Sequence, residues 1–117
     1  MEKFDVAFAL GFFVEKTADK KSGFKPSDRD RGGKQFRDIC MEGLAALVRV
    51  GFAERLIIVG GVEISIPDTN RAWAIREMLI HDFGINSNCI GALESRASTT
   101  GNIDAIVEAF QTYPSSI

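Results

Sequence analysis

The stretch that most constrains this chain is Leu56-Ile57-Ile58-Val59-Gly60-Gly61. It is a short apolar run rich in β-branched residues, and it stops at two glycines. Such a run without polar alternation reads as a strand buried on both faces, as in a parallel sheet, opening into a tight turn. A helical pattern precedes it. Phe36, Ile39, Cys40, Gly43, Leu44, Leu47 and Val50 recur at three- and four-residue spacing, and Gly51 is a fitting stop. A second helical pattern follows, carried by Ala72, Ile75, Leu79 and Phe83, with Trp73, Met78 and Ile80 widening the stripe. Asp68 or Thr69 is expected to cap it. Asn70, Glu77 and His81 fall on its polar side, and His81 lies one turn after Glu77, the spacing of a solvated pair.

Two further runs complete the pattern. Val6-Ala7-Phe8-Ala9-Leu10 ends at Gly11 and reads as a first strand; Cys89-Ile90-Gly91-Ala92-Leu93 reads as a third. Ser98 or Thr99 then caps a last helix from Gly101 to about Thr112, with Ile103, Ile106, Val107 and Phe110 on its apolar face. The order is β-α-β-α-β-α, which implies an α/β domain with parallel pairing and right-handed crossovers. At 117 residues the chain has room for one domain and one core. Residues 15–34, mostly charged and polar, are expected to form a solvated loop, with a lid over the end of the first strand as the alternative reading of 15–33.

Net charge is −2, so wholesale binding of a nucleic-acid backbone is not expected. Cys40 and Cys89 sit in apolar segments and read as buried thiols rather than metal ligands, and a single His is too few for a His-based metal cluster. The first residues carry no signal-peptide pattern and no apolar stretch is long enough to span a bilayer, so a cytoplasmic location is expected. The chain contains no G-x-G-x-x-G after a strand, no P-loop and no G-x-S-x-G elbow. A Ser-His-Asp triad is unexpected with one His on a solvent face.

In a parallel α/β sheet, ligands bind beyond the carboxyl ends of the strands. Those ends are Gly11-Phe12, Gly60-Gly61 and the stretch from Glu94 through Thr99. Glycine there permits close backbone approach, and helix N-termini supply N–H groups suited to anions. Ser98, Thr99 and Asn102 form the most polar of these turns. Glu63 and Glu94 are the carboxylates nearest the expected crevice, and either is a candidate acid or base.

The order Leu10-Gly11, Val50-Gly51-Phe52-Ala53, Leu56 to Gly61, Asn70-Arg71-Ala72, Phe83-Gly84-Ile85 and Glu94 through Asn102 resembles the YdcF/SanA/ElyC-like family of bacterial α/β proteins. The resemblance implies a three-layer α/β/α, Rossmann-like fold and a small-molecule site at the strand ends, in one branch taking S-adenosylmethionine. Carried over by position, it implies a ligand site at Gly11, Gly60, Gly61, Glu94, Thr99 and Asn102. Three departures stand out. Gly60 replaces the usual Ser, Arg71 stands where an acidic residue is common, and the family's later strand and His-containing segment have no counterpart after Thr112. The expectation is a C-terminally shortened YdcF-like domain that binds a nucleotide-like or anionic ligand, with Glu94 as acid or base. Unpaired sheet edges in a shortened domain imply a homo-oligomer. A non-catalytic interaction domain that keeps only the fold is the alternative.

Overall fold

A computed structural model describes residues 4–27, 33–63, 66–95 and 103–108, with the side chains of 33–37, 63, 66 and 67 excepted. The three apolar runs form the expected sheet. Strands β1 (Phe4–Leu10), β4 (Ala53–Gly60) and β7 (Ile90–Glu94) pair in parallel in the order β1-β4-β7. Between them run β2 (Val14–Lys16), β3 (Phe24–Pro26), helix α1 (Gly33–Arg49), β5 (Val62–Glu63), β6 (Ile66–Asn70) and helix α2 (Arg71–His81).

Register explains which side chains meet the helices. Ala7, Leu56 and Ile90 lie in one row across the sheet, and Ala9, Ile58 and Ala92 in the next. Side chains alternate along a strand, so these rows share one face. That face meets Met41 and Ala45 of α1 and Ala72, Ile75, Met78 and Leu79 of α2 in one contiguous core. Ile57 and Val59 point the other way and are buried too. Both faces of β4 are therefore covered, as its unbroken apolar sequence implies.

Glycine and asparagine set the helix ends. Gly51 takes φ +73° just beyond α1, and Gly84 takes φ +70° three residues after α2. Both conformations favour glycine because it lacks a Cβ. The cap of α2 is Asn70, not Asp68 or Thr69. The Asn70 side-chain oxygen accepts from the Trp73 backbone N–H at 3.1 Å, satisfying one of the helix's orphan donors. Thr69 is buried instead. The reason is that the chain does not pass straight from Gly61 into the helix. It makes a small antiparallel excursion through β5 and β6, and this pushes the helix start to Arg71.

The loop expected over residues 15–34 is also corrected. Much of it is a β2–β3 hairpin with its own packing. Val14 and Phe24 belong to the core, and Ser27 is fully buried. The two buried positions, Val14 and Phe24, are obscured in the sequence by the charged residues around them. The hairpin is latched to α2. The Ser22 hydroxyl donates to Asp82 at 2.6 Å, and the Ser22 backbone N–H donates to the same carboxylate at 3.1 Å. Asp82 is also the C-cap of α2. A mostly polar segment is thereby held against the domain by hydrogen bonds rather than as a free loop. Residues 28–32 of that segment lie outside the described residues.

His81 pairs with Glu77 at 2.8 Å on the exposed side of α2, as the one-turn spacing implies. Cys40 and Cys89 are free thiols and each is only half-buried, contrary to the expectation of buried ones. Cys89 ends a short 3-10 turn at the rim of the core, and Cys40 sits on the flank of α1 beside Leu44. Residues 103–108 are helical, within the helix expected from 101 to 112. Among the described residues no helix is long and apolar enough to cross a membrane.

Candidate functional site

The carboxyl ends of the three parallel strands meet at one edge of the sheet. Gly11 donates its backbone N–H to the Val59 carbonyl at 2.7 Å, extending the ladder past β1. On the other side of β4, the Ser95 N–H donates to the Gly60 carbonyl at 3.0 Å. The Asn70 side-chain nitrogen donates to that same carbonyl, also at 3.0 Å. The Arg71 N–H donates to the Gly61 carbonyl at 2.8 Å. Gly60 and Gly61 are thus clamped between the end of β7 and the first turn of α2.

The glycines at these ends make room for the chain itself. A Cβ on Gly60 would stand 3.1 Å from both the Ala72 nitrogen and the Arg71 Cβ. A Cβ on Gly11 would stand 3.1 Å from the Val59 carbonyl oxygen. The close approach that glycine permits brings the start of α2 onto the strand. Arg71 then lies at the ends of β1 and β4, its guanidinium 4.2 Å from the centre of the Phe13 ring.

Beside this clamp lies an open cleft of about 460 Å³, lined by Asp68, Asn70, Trp73, Ala92 and Glu94. Its walls follow from local geometry. Ala92 and Glu94 are two apart on β7 and therefore face the same side, toward the first turn of α2. Asp68 and Asn70 are likewise two apart on β6. Trp73 is the third residue of α2 and leaves 47% of its surface exposed, high for an indole on an otherwise buried stripe. Phe24 of the hairpin meets it edge-on, with ring centroids 5.6 Å apart at 87°, so the indole is braced from behind. Both ends of the Asn70 amide are engaged, one with Trp73 and one with Gly60, which makes it a positioning residue.

Two carboxylates and an indole face are what this cleft offers. Among the described residues no basic side chain lines it. Such a surface suits a flat ring for stacking and a ligand part rich in hydroxyl or ammonium donors. A phosphate brought between Asp68 and Glu94 would meet like charge.

Of the residues expected from sequence, Glu94 lines the cleft, Gly60 and Gly61 sit in the clamp beside it without lining it, and Gly11 lies one strand away. The Glu63 backbone lies in β5, but its side chain is outside the described residues. Ser98, Thr99 and Asn102 also lie outside them. Asp68 and Trp73 were missed as site residues. The i, i+2 pair Asp68/Asn70 ahead of a helix was a usable signal, but it read as competing caps. Among the described residues no group of three or more His, Cys, Asp or Glu is arranged to hold a metal ion. Comparison of the chain with protein-family models, with curated proteins and with solved structures returns no match.

Proposed function

We propose that the chain is a YdcF-like small-molecule-binding domain of three-layer, Rossmann-like build, and that its ligand is nucleoside-like and occupies the cleft beside Glu94. The observation that carries this reading is the exposed Trp73 indole facing two carboxylates at the carboxyl edge of a parallel sheet. The indole stacks on the base. Glu94 accepts from ribose hydroxyls, and Asp68 accepts from an ammonium or a second hydroxyl. S-adenosylmethionine fits this arrangement better than a nucleoside polyphosphate, because its sulfonium and ammonium charges complement the carboxylates. Ser98, Thr99 and Asn102, expected from sequence as ligand contacts, lie outside the described residues. If the domain is an enzyme, Glu94 is its acid or base.

A thermal-shift series tests the reading. Adenosine and S-adenosylmethionine are expected to raise the melting temperature, and ATP to raise it less than either. A ligand at a hundred times its dissociation constant adds about 2.7 kcal/mol to stability. Glu94→Gln is expected to weaken binding by about tenfold, equivalent to about 1.4 kcal/mol. An equal or larger shift with ATP would contradict the charge argument.

One observation favours a second reading, a non-catalytic interaction domain. The strand-end glycines accommodate the chain's own helix, and the Gly11 N–H is already bonded to Val59. Self-association belongs with this reading. β1 is an edge of the three-stranded sheet, and Phe4 and Leu10 on it are about half exposed. Sedimentation equilibrium is expected to report a dimer or larger; a monomer at high concentration would contradict it.

A further inference from the structure

A second cavity lies apart from the cleft, toward the C-terminal end of α2. It has a volume of about 340 Å³ and is lined by Lys20, Lys25 and Pro26 of the hairpin, Asp38, Met41 and Glu42 of α1, and Met78 and Phe83 at the end of α2. Ligand pockets commonly hold about 300–1,000 Å³, so this one is at the small end. Its inner side is apolar and adaptable. Met41 and Met78 are both 2% exposed, and Phe83 packs against the same core. Methionine side chains conform to varied apolar shapes and pack well beside aromatic rings.

The mouth is divided by charge. Among the described residues the two cations come from the hairpin, and the two carboxylates come from α1, one helical turn apart. They do not neutralise each other directly. Among the described residues Lys20, Asp38 and Glu42 form no ion pair, and Lys25 pairs with Glu15 of its own hairpin at 3.2 Å. Lys20 is therefore the freer cation. A ligand with one charge would be drawn to one wall and repelled by the other. A ligand with opposite charges on two groups of one carbon, and an apolar tail, satisfies both walls and the floor together. The hairpin wall is itself held by the bonds from Ser22 to Asp82, the residue before Phe83, so the pocket has a fixed outline without ligand.

We propose that this pocket binds a free α-amino acid with an apolar side chain. Its carboxylate meets Lys20 and Lys25, its ammonium meets Asp38 and Glu42, and its side chain rests on Met41, Met78 and Phe83. The proposal is independent of the reading of the cleft, since among the described residues the two sites share no lining residue.

Methionine-methyl NMR combined with calorimetry tests it on the intact chain. The sequence holds three methionines, Met1, Met41 and Met78, so the spectrum is simple to assign. With L-leucine, L-methionine or L-phenylalanine at millimolar concentration, the Met41 and Met78 methyl signals are expected to shift and saturate. L-leucine is compared with 4-methylpentanoate, which lacks the ammonium, and 3-methylbutylamine, which lacks the carboxylate. Each is expected to bind at least tenfold more weakly. Lys20→Met and Glu42→Gln alter rim residues and are expected to weaken L-leucine about tenfold each while leaving the melting temperature of the free protein unchanged. The proposal is overturned if none of the three amino acids moves both methyl signals. It is equally overturned if the single-charge analogues bind as well as L-leucine, or if neither variant alters its affinity.

Discussion

Ile58→Ala is expected to lower stability by about 2–5 kcal/mol, the range found when a large buried aliphatic side chain is truncated and the cavity only partly collapses. Ile58 is fully buried in the middle strand, in register between Ala9 on one side and Ala92 on the other. Both neighbours are too small to close over the gap, which argues for the upper half of the range. Native domains of this size are stable by only about 5–15 kcal/mol, so the loss is a large share of the total. Urea denaturation checks it. The midpoint should fall with an unchanged slope, because the surface exposed on unfolding is nearly the same. A loss below ~1 kcal/mol would mean that β4 is not the centre of the core.

Gly60→Val is expected to cost about 1–3 kcal/mol through overpacking. A further ~1 kcal/mol is lost if the Asn70 to Gly60 hydrogen bond is broken as well. The cause is specific to the site. The new Cβ meets the Ala72 nitrogen and the Arg71 Cβ, each at 3.1 Å, and neither is the end of a flexible side chain. The first turn of α2 must move away, carrying Asn70 and Trp73 with it. The variant should therefore lose stability and distort the cleft. Gly43 supplies the contrast. It lies on the exposed side of α1, and a Cβ there meets nothing within 4 Å. Gly43→Ala is expected to raise stability by about 0.5–1 kcal/mol, since alanine restricts the unfolded chain and favours the helix. Thermal melts of the two variants should move in opposite directions. A Gly60→Val protein as stable as the parent would show that the strand and helix do not depend on close contact.

The parallel strands were legible because burial on both sides leaves a strong mark. Leu56 to Val59 has no polar residue to misplace, and β1 and β7 follow it in register. Helix α1 was legible as a helix and Gly51 marked its end, but its buried face was not: Met41 and Ala45 are buried, whereas Ile39, Gly43 and Val50, read as part of the apolar face, are exposed. The hairpin was not. Its two strands are three residues each, and Val14 and Phe24 are separated by charged and turn-forming residues that read as a loop. What fixes the hairpin is non-local, namely the Ser22 to Asp82 bonds and the Phe24 to Trp73 contact. No local pattern announces a partner sixty residues away. The excursion through β5 and β6 was hidden in the same way. It moved the cap from Asp68 or Thr69 to Asn70, and it turned Asp68 toward the cleft.

The candidate site was half legible. The rule that ligands bind at the carboxyl ends of parallel strands led to Glu94 and the paired glycines. It did not lead to Trp73, which looked like one more apolar residue on a helical stripe. Only its position at the first turn of α2, beside the end of β7, leaves it exposed. The glycines also changed meaning. Their lack of side chains suggested a cradle for an anion, whereas at Gly60 the space is taken by the helix that follows.

The central claim is that the cleft walled by Asp68, Trp73 and Glu94 receives a nucleoside-like ligand. Trp73 is the only tryptophan in the chain, so its fluorescence reports on that cleft without interference. The most direct measurement is a fluorescence titration with adenosine and with S-adenosylmethionine, on the parent and on Glu94→Gln. Saturable quenching in the parent, with about tenfold weaker binding in the variant, is the predicted result. An emission spectrum unmoved by either compound, or quenching identical in the two proteins, would contradict the account.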